Sequence, residues 1–184
     1  MPGGAAAQLM DDKVLFSRDG VLVIRIAAVL PRAEARWRIR AAVREAAARW
    51  LHVSIGAISV ASTPGTPPRL LLAGSTASLS FSHDEGISLA AIGLHGPVGI
   101  DVMRVQEIPD WFELARDYLG PQVAEELGAC PAGRRPLALA QAWTAREAAL
   151  KRAGLPLAEW NGVAPACRLH AFAMPAPHVA TLAY

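Results

Sequence analysis

Residues 78–102, SLSFSHDEGISLAAIGLHGPVGIDV, carry the pattern on which the fold turns. Ser78 to His83 alternates polar and apolar side chains, as a half-buried strand does, and stops at the turn signal Asp84-Glu85-Gly86. Ile87 to Leu94 reads as a second strand, and His95-Gly96-Pro97 as a tight connection. Val98-Gly99-Ile100-Asp101-Val102 is a third strand, ending in an acid. The three predict a small meander of short strands.

Upstream, Val21 to Ile26 is rich in β-branched residues and suits a buried strand. Pro31 then precedes a long helical stretch ending near His52, with Ile39, Val43, Ala46, Ala47 and Trp50 on one face. Arg36, Arg40 and Arg44 form a stripe beside that face. Residues 1–13 read as a loose leader, and 62–69 as a loop by composition. Downstream, a helix is predicted over Trp111 to Tyr118. Another starts at Pro136, suited to a first helical turn, and runs to Ala153 with Gly154 as its stop. The proline-broken tail from Val163 to Tyr184 suits one or two closing strands. Strands plus one long helix in each half point to an α/β (α+β) chain of two similar lobes.

The 184 residues are 53% hydrophobic and 18% charged, the balance of a compact globular protein. A net charge of +2 does not suit a protein whose main partner is nucleic acid. Of 18 basic residues only Lys13 and Lys151 are lysines, so a lysine at a given place is a rare event here. Cys130 and Cys167 form no C-x-x-C pair and show neither metal-ligand spacing nor a disulfide framework. The N-terminus lacks the pattern of a secretory signal, and no apolar run approaches the ~20 residues that span a bilayer. A soluble, cytoplasmic protein without a membrane partner is expected.

Trp143, Glu147 and Lys151 are spaced four apart and share a helix face. An anchoring tryptophan beside a surface Glu–Lys pair, worth only a few tenths of a kcal/mol, is the plain reading. The rarity of lysine and the apolar neighbours Ala140 and Ala148 argue for more. Asp101, at a strand end after a glycine, reads as a cap or turn residue on its own. With Glu147 it offers two carboxylates to a hard cation such as Mg²⁺, which fills its other positions with water and substrate phosphate. Ser82 and His83 are adjacent on a strand, so they point to opposite faces and do not make a hydrolase pair. A histidine there serves as a turn residue or as a donor to a phosphate oxygen.

Three blocks now stand in order: Phe81-Ser82-His83, Val98-Gly99-Ile100-Asp101, and Trp143-Thr144-Ala145-Arg146-Glu147-Ala148-Ala149-Leu150-Lys151. Together they resemble the signature of the surfactin-type 4'-phosphopantetheinyl transferases, with Gly154-Leu155-Pro156-Leu157 similar to that family's continuation. The resemblance runs from about residue 63 to 160. It implies two pseudo-twofold related lobes, 1–95 and 96–184, each a small mostly antiparallel sheet on a long helix, in a cytoplasmic monomer. It further implies transfer of 4'-phosphopantetheine from coenzyme A to a serine of an apo acyl or peptidyl carrier protein, serving fatty acid, polyketide or nonribosomal peptide biosynthesis. Asp101 and Glu147 would hold Mg²⁺, Glu147 would take the serine proton, and Lys151 would stabilise phosphate charge. His83 with Ser82 would bind the 3'-phosphate, Arg36 another phosphate, and the carrier would dock beside Ile108, Trp111, Phe112 and Leu114.

The chain departs from the family pattern at two places. Met103 stands where the family usually has Glu or Gln, and a thioether does not bind Mg²⁺, so water would fill that position. Gly65-Thr66-Pro67-Pro68-Arg69 stands where the family often has a lysine that contacts the nucleotide, with Arg69 as the substitute. The departures motivate a rival reading, a non-catalytic relative that binds coenzyme A or a carrier protein. A Mg²⁺-dependent phosphohydrolase built on Asp101 and Glu147 is a third.

Overall fold

The structure is a computed structural model and describes residues 13–184. The leader expected over 1–13 lies outside the described residues except for Lys13, which opens the first strand. In chain order the elements are β1 (Lys13–Arg18), β2 (Val21–Ala27), α1 (Arg32–Leu51), β3 (Ser59–Ala61), β4 (Arg69–Leu72), β5 (Ser75–Asp84), β6 (Ile87–Gly93) and β7 (Gly99–Arg104). There follow α2 (Trp111–Leu114), α3 (Pro121–Ala129), α4 (Arg135–Ala153), β8 (Leu169–Phe172) and β9 (His178–Ala183). The chain is mixed α/β, and every strand pairing among the described residues is antiparallel.

The two long helices begin and end for local reasons. Pro31 precedes α1, Glu34 sits in its first turn and Arg49 in its last, each complementing the helix dipole. The chain leaves α1 through His52 in the left-handed region, its N–H bonded to Ala48 O. In α4 a proline occupies the first turn, Lys151 and Arg152 the last, and Gly154 closes the helix at φ 69°.

Strands β1-β2-β6-β5-β4-β3 form one six-stranded sheet, and β7-β9-β8 a second of three. This corrects the expected meander: β5 and β6 pair as predicted, but β2 takes the far edge of β6, so β7 pairs with β9 in the second sheet. Alternation on β2 shows how the layers stack. Leu22, Ile24 and Ile26 pack with Ile39, Val43 and Ala47 of α1, whereas Val21 and Val23 pack with Val98, Ile100 and Leu182 at the second sheet. β6, buried along its whole length, does the same from both faces. Helix α4 covers the outer face of β7 and β9, giving the order α1, first sheet, second sheet, α4.

The seam between the sheets is closed by side chains. Strand β7 bonds β9 on one edge, so its alternate N–H groups point away from that partner. Ser78, Ser80 and Ser82 of β5 accept those of Val98, Ile100 and Val102 at 3.1, 3.1 and 3.2 Å, and Asp84 accepts that of Arg104. The polar half of the β5 alternation is thus the ladder that satisfies an otherwise open strand edge.

Candidate active site

Strand β7 and helix α4 bring three of the singled-out side chains together. Gly99 permits it: a Cβ there would lie 2.0 Å from Ala148 O and 2.5 Å from Arg152 N, so only glycine lets the α4 backbone rest on β7. Asp101, two residues on, points to the same side of the strand. Lys151 Nζ donates to Asp101 Oδ1 at 2.7 Å and to Ile100 O at 3.2 Å. Elsewhere on α4, Thr144 is fully buried and its hydroxyl meets that of Thr181 at 3.0 Å, while Thr181 lies opposite Asp101 in the β7–β9 register. Trp143 packs with Leu119, Leu139 and Tyr118, fixing the α4 face that carries Glu147.

Asp101, Glu147 and Lys151 open on a cleft of about 1080 Å³ whose facing wall comes from α1, the loop over residues 62–68 and the end of β5. Ser82, His83 and Arg36 line that cleft too. Arg32 and Arg40, one helical turn on either side of Arg36, join them, so the stripe extends one turn further towards the helix start than the sequence reading took it. The other end of the stripe faces elsewhere. Arg44 donates to Ile58 O at 2.9 Å and Ile55 O at 3.3 Å, tying down the segment after the helix. Arg69 lies exposed on β4 and does not line the cleft, whereas the neighbouring Gly65, Thr66, Pro67 and Pro68 do.

Ser82 and His83 diverge, as adjacent strand residues must. Ser82 Oγ donates to Asp101 Oδ1 at 2.8 Å while accepting Val102 N–H. His83 Nδ1 bonds Ser88 Oγ at 2.8 Å. Burial lowers the His83 pKa below its ordinary value, and the charges of Arg36, Arg40, Arg32 and Lys151 lower it further. Arg32, Arg36 and Arg40 thus place three positive charges near the His83 ring. Glu147 is shifted the other way: burial raises its pKa above 4.5, the charge of Asp101 adds to the rise, and Lys151 and Arg146 oppose it.

The donor set suits a hard divalent cation that takes oxygen ligands. Two carboxylates close enough to perturb each other face one cleft, and both hydrogen bonds to Asp101 fall on Oδ1, leaving Oδ2 without one from any described residue. Met103 lines the cleft but offers only a thioether. No group of three or more His, Cys, Asp or Glu that could cage a metal occurs among the described residues. A cation that accepts two carboxylates and completes its shell with water and phosphate, as Mg²⁺ does, suits this arrangement.

Of the apolar residues after Met103, Ile108 and Trp111 pack on the helical cluster of Leu119, Leu127 and Leu139, and Arg135 stacks over Trp111 at 4.4 Å. Phe112 is 41% exposed, and Leu114 half-buried.

A family model matches the part of the chain that builds this acid–lysine wall. Residues 97–174 match the model of the 4'-phosphopantetheinyl transferase superfamily, a span holding Asp101, Glu147 and Lys151 but not Ser82, His83 or the α1 arginines. Over 75 residues the chain is 28% identical to the protein named "Putative 4'-phosphopantetheinyl transferase slr0495" of Synechocystis sp. (strain ATCC 27184 / PCC 6803 / Kazusa). That match takes in 41% of this chain and 30% of the relative's length. The mixed α/β architecture, two antiparallel sheets each on a long helix, is consistent with the fold of that superfamily. No helix among the described residues is long and apolar enough to cross a membrane.

Proposed function

We propose that the chain is a Mg²⁺-dependent 4'-phosphopantetheinyl transferase of the surfactin type, acting as a holo-acyl-carrier-protein synthase on an apo acyl or peptidyl carrier protein. In this reading residues 1–95 and 96–184 are its two lobes and coenzyme A lies between them. The observation that carries it is the pairing of opposite chemistries across one cleft. Asp101, Glu147 and Lys151 stand on one wall; His83, Arg32, Arg36 and Arg40 stand on the other.

A ligand with phosphates at two separated places suits such a cleft. The electropositive wall takes the 3'-phosphate end of coenzyme A through His83 and the α1 arginines. Asp101 and Glu147 would hold Mg²⁺, which when bound neutralises charge on the pyrophosphate. The carrier serine Oγ attacks the β-phosphorus, and its proton passes to Glu147 directly or through one water. A new P–O bond forms to the serine, the bond to the bridging oxygen breaks, and adenosine 3',5'-bisphosphate leaves with the electron pair. Lys151, whose Nζ already meets Asp101, stabilises charge on the transferred and leaving phosphates.

Intact-mass spectrometry of apo fatty-acid, polyketide and peptide carrier proteins, incubated with the protein, coenzyme A and Mg²⁺, tests the proposal. The expected result is a gain of one phosphopantetheine on a carrier, lost on chelation. Binding of coenzyme A with no gain on any carrier would instead favour the non-catalytic relative that Met103 suggests.

A further inference from the structure

The sequence resemblance would assign Ser82 to a phosphate of the ligand; the geometry points to a different role. We infer that Ser82 is a positioning residue for Asp101, aiming its carboxylate at the metal and leaving the phosphate to His83 and the arginines. The inference rests on the transferase reading of the site.

Two independent observations carry it. Ser82 is buried at 7% exposure, and its hydroxyl is engaged on both sides: it donates to Asp101 Oδ1 at 2.8 Å and accepts Val102 N–H at 3.2 Å. It is also one rung of the β5 ladder, in which Ser78 and Ser80 accept the N–H groups of Val98 and Ile100 in the same manner. Ser82 differs from those rungs in meeting a carboxylate with its proton. The same Oδ1 receives Lys151 Nζ from the opposite element, so the carboxylate is gripped through one oxygen by β5 and α4. The other oxygen is left for a cation. Hydrogen bonds of this kind to a metal-binding carboxylate orient it and tune its affinity.

The test separates metal affinity from nucleotide affinity. Mn²⁺ binding in the presence of coenzyme A is followed by the electron paramagnetic resonance signal of free Mn²⁺. Adenosine 3',5'-bisphosphate binding without metal is followed by calorimetry. Ser82→Ala is expected to weaken Mn²⁺ binding by about 10- to 100-fold while leaving the nucleotide affinity at the wild-type level, and Ser82→Thr to retain Mn²⁺. Ser78→Ala, which removes a rung without touching the carboxylate, should leave Mn²⁺ affinity intact. Ser82→Cys keeps the volume with a weak donor and is measured alongside, so that poor folding of the alanine variant does not remove the answer. Loss of nucleotide affinity with Mn²⁺ binding unchanged would make Ser82 a phosphate ligand and overturn the inference. Equal loss of Mn²⁺ binding in Ser78→Ala would overturn it as well, since the ladder as a whole would then be responsible. A wild-type protein that binds Mn²⁺ normally with Ser82→Ala unaffected sinks this inference alone. A wild-type protein that binds neither Mn²⁺ nor coenzyme A sinks it together with the transferase reading.

Discussion

At the scale of single residues, Glu147 and His83 face one cleft with pKa values displaced in opposite directions, which fixes how each responds to pH. In the proposed transfer Glu147 must be ionised to act as base, so the rate should rise with pH along an acid limb, and Glu147→Gln should lower it about 10²- to 10⁴-fold with that limb abolished. The stability effect has the reverse sign. An acid whose pKa is raised on folding contributes stability below 4.5 that is lost as pH rises through the folded value, so Glu147→Gln should melt higher than wild type at pH 8. Thermal melts of both proteins at pH 4 and pH 8 check the sign. His83 binds fewer protons folded than unfolded, so its contribution falls as pH drops below 6.5. A phosphate placed beside it would offset the surrounding arginines and raise its pKa. Proton NMR titration of the His83 ring should therefore move to higher pH on adding adenosine 3',5'-bisphosphate; an unmoved curve would place the phosphate elsewhere. Asp101, Glu147 and Lys151 were legible as a group because helical spacing and the rarity of lysine marked two of them. The Ser82–Asp101 bond was not, since its partners are 19 residues apart and meet only when one sheet lies on the other.

At the scale of elements, Gly99 decides whether α4 delivers its side chains. A methyl group at this position would strike the α4 main chain at Ala148 O and Arg152 N, neither of which can rotate aside. Gly99→Ala should destabilise the protein by about 1–3 kcal/mol, the usual cost of overpacking. It should also reduce transfer by more than the unfolded fraction explains, because Lys151 and Glu147 move with the helix. Denaturant melts and single-turnover rates on one preparation separate the two losses. Full activity in a folded Gly99→Ala protein would mean that α4 has room to spare. The long elements were readable because their periodicity runs for many residues: α1 was expected after Pro31 and to near His52 and occupies Arg32–Leu51, and α4 differs by a single residue at its start. The short ones were not. β3 and β4, of three and four residues, flank a proline- and glycine-rich loop that masks any alternation. α3 has no counterpart in the sequence reading although Pro121 occupies its first turn as Pro136 does in α4; at nine residues it is too short for its periodicity to stand out. β1 has no counterpart in the sequence reading beyond Lys13, the last residue of the expected leader, and its pairing with β2 makes it a strand.

At the scale of the whole molecule, the question is whether the two sheets open as separate units or as one. The apolar layer between them is shared: Val23 and Leu89 from the first sheet and Ile100 and Leu182 from the second are all fully buried in a single cluster. Separating the sheets would expose that layer, at roughly 25 cal/mol per Å² of apolar surface. It would also release the N–H groups of Val98, Ile100 and Val102 from their serine partners. Nothing in the alternation of Ser78, Ser80 and Ser82 showed beforehand that these hydroxyls face a strand edge; a solvated face carries the same pattern. The physical expectation is one cooperative unit, with the cleft walls held at fixed separation by the seam beneath them. In native-state hydrogen exchange the amides of Ile100 and Val102 should then exchange only through global unfolding, with the same denaturant dependence as the core amides of Val23 and Leu89. If they exchange through a lower-energy opening while Val23 stays protected, the sheets part independently and the cleft is a moving one. In that case Ser80→Ala should accelerate exchange at Ile100 and leave Val23 unchanged, whereas in a single cooperative unit both amides would report the same loss of stability.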